Sequence, residues 1–121
     1  MDRDALSTVL RGYFETQEDI LVAYLFGSVT RGEQSSRSDV DVGVLFTGSQ
    51  DQEALLYRRI GMVQELEELV SRPVDVADLG RTPPHFNHQV LRHGIVLKGQ
   101  TSAARIEFEK DVRRQYFDLL P

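Results

Sequence analysis

Asp39-Val40-Asp41 places two carboxylates two positions apart inside an apolar stretch. From 39 to 46, Val40, Val42, Val44 and Phe46 alternate with Asp39, Asp41, Gly43 and Leu45, a pattern that predicts a strand. Residues i and i+2 of a strand point to one face, ~6.5–7 Å apart. Two carboxylates held that way repel each other and resist desolvation. Either that face is solvated, as on an edge strand with one polar side, or a cation compensates the charge. A bare D-x-D does not decide between the two.

The segment upstream adds chemistry. Ile20 to Phe26 is a short continuous apolar run, the signature of a buried strand, and it ends at Gly27-Ser28. Thr30-Arg31-Gly32 follows at once. A buried strand that ends in Gly-Ser and opens a helical turn offers free backbone N–H groups and a hydroxyl to an anion. Gly27 allows close backbone approach to a phosphate, and Ser28 can donate to a phosphate oxygen. Arg31 has two readings, pairing with a phosphate or bracing the carboxylates from behind. The competing account of the whole segment is a β-turn with a surface arginine.

A site for two metal ions needs protein oxygens from more than one side. Asp75, between Val74 and Val76 in a predicted strand, is an expensive place for an unpaired charge and supplies a third carboxylate. Asp78 has the opposite strand parity and lies nearer the strand end, which suits a cap or a solvent-facing role.

The elements that must carry these residues are legible from periodicity. Leu6, Val9, Leu10, Tyr13 and Phe14 predict an amphipathic helix over 2–17. Ser49 with Gln52 predicts a capping box, ahead of a helix whose buried face is Leu56, Ile60, Val63, Leu66 and Val70. Pro73 to Leu79 reads as a strand. Thr82-Pro83 reads as the cap and first turn of a helix ending near Gly94. Ile95 to Lys98 is a short strand, and Ala104, Phe108, Val112 and Tyr116 mark a closing helix. The order predicts an α/β (α+β) domain, a small mixed β-sheet with helices packed on it, occupying residues 1–121 as one unit.

Composition narrows the function classes. The chain has 121 residues with 19 acidic and 14 basic side chains, a formal net charge of −5. Its basic residues are dispersed, whereas a nucleic-acid binder needs a basic stripe, so a long nucleic acid is not the expected ligand. An acidic protein can still hold a triphosphate when divalent ions sit between carboxylates and phosphates. It can also dock on a basic protein partner. Cysteine is absent, which excludes disulfides and thiolate zinc sites. No apolar run approaches the ~18 residues of a membrane span and no secretory signal is visible, so a cytoplasmic protein with no membrane partner is expected.

Taken together, Gly27-Ser28-Val29-Thr30-Arg31-Gly32 and Ser38-Asp39-Val40-Asp41 resemble the G-S-x-x-R-G…S-D-x-D signature of the DNA-polymerase-β-like nucleotidyltransferase superfamily. Length and the stretch Arg72-Pro73-Val74-Asp75-Val76-Ala77-Asp78-Leu79 resemble its minimal (MNT) members, many of which are encoded beside a HEPN-type ribonuclease toxin and act as its antitoxin. The resemblance implies that Asp39 and Asp41 bind Mg²⁺. Asp75 would help hold the catalytic ion and ease deprotonation of the attacking hydroxyl, while Gly27, Ser28 and Arg31 grip the nucleotide. It further implies two Mg²⁺ ions, ATP as substrate, and transfer of AMP to a tyrosine of a cognate HEPN-type toxin. Two alternatives stand beside it, an antitoxin that merely occludes the toxin and an antibiotic-type small-molecule nucleotidyltransferase.

Other features have plainer readings. His85 and His88 stand three apart on a predicted helix, but no further His or Cys lies at ligand spacing, so surface or cap positions are expected. The charged residues from Arg105 to Arg114 suit a solvated helix face, and with Phe108, Tyr116, Phe117, Leu119 and Leu120 they equally suit a partner-binding surface.

Overall fold

A computed structural model describes residues 1–30, 32, 39–48 and 50–121. Its elements are α1 (Arg3–Glu15), β1 (Ile20–Phe26), a 3₁₀ turn (Gly27–Val29), β2 (Val40–Phe46), α2 (Gln52–Val70), β3 (Val74–Asp78), α3 (Pro84–His93), β4 (Ile95–Lys98) and α4 (Ala103–Asp118). The four strands form one mixed sheet in the order β3-β2-β1-β4. β1 runs antiparallel to both β2 and β4, whereas β2 and β3 are parallel. The fold is therefore the expected α+β architecture.

Strand parity sorts side chains into two layers. Val40, Val42, Val44 and Phe46 of β2 face α1 and α2, in one core with Leu6, Leu10 and Phe14 of α1 and Leu55, Met62, Leu66 and Val70 of α2. Each fully buried side chain of this size contributes roughly 1.5–3 kcal/mol. Across the sheet, Val22 and Tyr24 of β1 pack with Leu79 and Val90, supported by Phe86 of α3 and Phe108 of α4. Asp41 and Gly43 lie on this second side, as the alternation predicts.

Several expectations are corrected. Leu56 and Ile60 are about half exposed, because the buried stripe of α2 runs through Leu55, Met62, Leu66 and Val70. The α2 cap is Asp51, whose carboxylate accepts from the Ala54 N–H at 2.8 Å; Ser49 lies outside the described residues. Pro83, not Thr82, occupies the cap position of α3 and offers no side-chain bond. The Thr82 hydroxyl donates instead to the Asn87 side-chain oxygen.

Two braces hold the helices to the sheet. Arg58 of α2 donates Nε and Nη2 to the two oxygens of Asp19, at 2.7 and 3.2 Å, and Nη2 also reaches Gln17 at 2.6 Å. The Arg58 hydrogen bond holds the Asp19 carboxyl below its ordinary value. Beside it the Tyr13 hydroxyl, bonded to Glu65 at 2.8 Å, is pushed up to about 12, chiefly by burial. On the other side of the sheet the buried Tyr24 hydroxyl donates to Glu109 at 2.7 Å, and Arg105 meets the same oxygen at 2.7 Å. Burial first, then Glu109, pushes the Tyr24 hydroxyl well up. Thus Arg105 and Glu109 anchor α4 instead of lying on a wholly solvated face. Among the described residues no helix is long and apolar enough to cross a membrane.

Candidate active site

The acidic cluster is set by strand register. Asp41 of β2 and Asp75 of β3 are direct partners in the parallel ladder, so they stand side by side on neighbouring strands, ~4.8 Å apart in backbone. The register is pinned at its start, where the Val40 N–H donates to the Pro73 carbonyl at 2.8 Å and the Val74 N–H to Glu67 at 2.9 Å. Since β3 is an edge strand, Asp75 is exposed while Asp41 is half-buried.

The antiparallel ladder places the turn. Phe26 pairs with Asp41, so the chain leaves β1 directly over that carboxylate. Gly27 takes φ +82°, and a Cβ there would lie 2.1 Å from Oδ2 of Asp41. The requirement for glycine is thus double, a left-handed backbone and space that Asp41 already fills. The close approach that the structure shows at Gly27 is to the Asp41 carboxylate. The fully buried Val29 plugs the turn into the core, and Thr30 closes it with its N–H and hydroxyl on the Gly27 carbonyl, at 3.1 and 2.9 Å. Arg31 and Ser38 lie outside the described residues.

Two hollows meet at this point. The first, about 590 Å³, is lined by Gly27, Ser28, Asp39 and Asp41, with Phe86, Gln89, Val90 and His93 from α3. The second, about 450 Å³, contains Asp41 and Asp75 with Arg59, Arg81 and Thr82. Phe26, Asp41 and Phe86 belong to both, and the two rings pack edge-on at 5.5 Å. The structure therefore unites Ser28 with Asp39 and Asp41, and Asp41 with Asp75. It does not put Asp39 and Asp75 in one hollow. Among the described residues, no three His, Asp or Glu side chains form a metal cage of their own. Mg²⁺ does not ask for one, because it is usually held by one or two carboxylates plus water and substrate phosphates. The donor set fits it on that ground. Among the described residues, His93 is the basic side chain that lines the first hollow beside Asp39 and Asp41.

Sequence reasoning missed the α3 wall. Phe86, Gln89, Val90 and His93 stand at i, i+3, i+4 and i+7, a single helical face. The buried Asn87 docks that helix, donating Nδ2 to the Leu79 carbonyl at 3.0 Å. Of the two histidines singled out earlier, His85 is exposed. His88 is half-buried: its ring stacks on Tyr116 with centroids 3.7 Å apart and its Nδ1 is buried. Asp78 is buried, accepts from the Gly80 N–H at 3.0 Å and pairs with Arg81 at 3.5 Å, a turn cap rather than a solvent-facing group.

The family model for the polymerase β nucleotidyltransferase domain matches residues 9–103. The chain belongs to that family. Its nucleotidyltransferase fold recurs in solved structures. A chain of a toxin–antitoxin crystallised with AMP-PNP is 26% identical with a TM-score of 0.74, over 98% of this chain and 90% of that one. A complex of tri-AMPylated Shewanella oneidensis HEPN toxin with its MNT antitoxin matches at 22% identity and TM-score 0.69, over 93% and 88%. A proposed minimal nucleotidyltransferase matches at 28% and 0.61, over 78% and 95%. Among curated protein sequences none matches. The structural relatives of this nucleotidyltransferase domain thus include antitoxins of HEPN–MNT pairs.

Proposed function

We propose that this nucleotidyltransferase transfers AMP from ATP to a hydroxyl, a tyrosine, of a partner HEPN-type toxin and so acts as its antitoxin. The observation that carries the reading is Asp41, shared by a hollow that suits a nucleotide and a second hollow that holds Asp75. Similarity to a toxin–antitoxin chain crystallised with AMP-PNP supports it.

Ser28 and the N–H groups of its turn hold the phosphates, and the Phe86 face of α3 offers the adenosine an apolar wall. Asp39 and Asp41 would hold Mg²⁺, with Asp75 joining Asp41 at the catalytic ion. Bound there, two divalent ions would neutralise charge on the reacting phosphoryl group and on departing pyrophosphate. The acceptor hydroxyl enters from the exposed edge at Asp75, which orients it and takes its proton as oxygen attacks the α-phosphorus in line. No covalent intermediate on this chain is required. Arg31 would contribute to the phosphate grip.

The unpartnered apolar surface supports docking on a protein. Phe117, Leu119 and Leu120 at the end of α4 are 60%, 68% and 48% exposed, and exposed apolar side chains grouped this way mark interaction sites. The same observation favours a second reading, neutralisation by occlusion. Intact mass spectrometry of the toxin encoded by the adjacent gene, after incubation with this protein, ATP and Mg²⁺, separates the two. AMP adducts that vanish with Asp39→Asn and Asp41→Asn are expected. Toxin neutralised without adducts, by wild type and variants alike, overturns the catalytic reading in favour of occlusion.

A further inference from the structure

One polar side chain of the first hollow takes no part in holding phosphates or metal. The sheet and its turn supply Gly27, Ser28, Asp39 and Asp41, and α3 supplies Phe86, Gln89, Val90 and His93. That helix is fixed at successive positions. Phe86 packs edge-on to Phe26 at 5.5 Å, Asn87 reaches the Leu79 carbonyl at 3.0 Å, His88 stacks on Tyr116, and Val90 is 1% exposed. The Gln89 amide, by contrast, is exposed and makes no hydrogen bond among the described residues. A firmly seated wall thus presents one free amide to the hollow. The apolar part of that wall suits a base, since nucleobases stack on aromatic rings, whereas the phosphates belong with Ser28 and the acidic pair. An α-helix rises 1.5 Å per residue, so Gln89 lies about 4.5 Å along the axis from Phe86 and His93 about 10.5 Å. A base laid on Phe86 brings its edge to Gln89 and falls short of His93.

We propose that Gln89 reads the base of the nucleotide donor and selects adenine over guanine. This deepens the adenylyl-transfer reading above and rests on it. A primary amide sets an acceptor and a donor side by side. The adenine edge that carries N6 and N7 offers the complement: N6–H donates to Oε1 of Gln89, and Nε2 of Gln89 donates to N7. Guanine presents two acceptors on that edge, O6 and N7, so Oε1 faces O6 and one of the two bonds is lost. On the Watson–Crick edge the same amide could turn over and serve either purine. Discrimination against guanine is therefore the signature of the N6/N7 edge. Arginine has the opposite match, because its paired donors fit O6 and N7 of guanine. The residue at position 89 then sets which purine is transferred.

The test titrates AMP-PNP and GMP-PNP, each with Mg²⁺, into the full chain by calorimetry. Wild type is expected to bind AMP-PNP about 10- to 100-fold more tightly. Gln89→Leu, which keeps bulk and loses the amide, should bring the two analogues to near parity by weakening AMP-PNP. Gln89→Arg should invert the order. Equal affinities in wild type, or a preference that survives Gln89→Leu, overturn the assignment. An equal loss for both analogues in Gln89→Leu also overturns it, since that marks a contact to ribose or phosphate. So does a Gln89→Arg variant that still favours AMP-PNP. Failure of the underlying reading appears separately, as a wild type that binds neither analogue. Leucine and arginine are both strong helix formers and position 89 is exposed; melting curves check folding, and Gln89→Met replaces the leucine variant if that one melts early.

Discussion

Replacing Gly27 by alanine separates backbone strain from chemistry. At φ +82° an L-residue costs about 1–2 kcal/mol, a fall in Tm of roughly 4–8 °C for a chain of this size. The added Cβ would also meet Oδ2 of Asp41 at 2.1 Å and Cγ at 3.0 Å. Ordinary contact requires the carboxylate to retreat by at least about 1 Å. Asp41 is shared by both hollows, and a ~1 Å misplacement of a reacting group costs on the order of 100-fold in rate. Gly48→Ala is the control, since Gly48 has φ +68° but nothing within 4 Å of the added Cβ. Thermal melts and initial rates of AMP transfer should show comparable losses of stability for the two variants. Gly27→Ala alone should lose about 100-fold in rate. If Gly27→Ala stays within a few fold of Gly48→Ala, the coupling of turn to carboxylate is wrong.

Further expectations follow from the same geometry. Asp75→Asn should lower kcat by about 10²–10⁴-fold with little change in the KM for ATP, because Asp75 lines the second hollow and not the first; steady-state kinetics read the split, and a rise in KM alone speaks against the assignment. Phe86→Ala removes the ring common to both hollows, and AMP-PNP titration should show affinity about tenfold weaker, the scale of one base–aromatic contact. The Asp19 carboxyl is lowered by its hydrogen bond to Arg58, so its stabilisation is present above the ordinary aspartate value of ~3.9 and is lost as pH falls through the lower folded value. Asp19→Asn should cost about 1 kcal/mol at neutral pH and flatten the acid limb of Tm against pH; an unchanged limb refutes that linkage.

The sheet and the acidic pair were legible because strand parity leaves little freedom. A continuous apolar run from 20 to 26 and strict alternation from 40 to 46 each admit one arrangement, and the strands fall there. Helix faces were less determined. In α2, Leu55 and Leu56 offer two stripes about 100° apart, and the choice depends on how the helix rolls onto β3, which no local pattern encodes. Caps shifted for a similar reason: Asp51 competes with Ser49, and Thr82 prefers the Asn87 side chain to an N–H of α3. At the site, the Asp41–Asp75 register and the intrusion of Asp41 into the space above Gly27 are products of strand pairing. The wall of Phe86, Gln89, Val90 and His93 was present as a helical spacing, but nothing in the chain said which cavity that face would meet. Arg59 and Arg81 lie 22 positions apart on different elements and come to line one hollow only through tertiary packing.

Isothermal titration of AMP-PNP, with Mg²⁺ and then with EDTA, addresses whether acidic side chains of β2 recruit phosphates through a divalent ion. Saturable binding that requires Mg²⁺ and disappears in Asp39→Asn/Asp41→Asn is the predicted result. Equal affinity in EDTA, or undiminished affinity in that double variant, contradicts it.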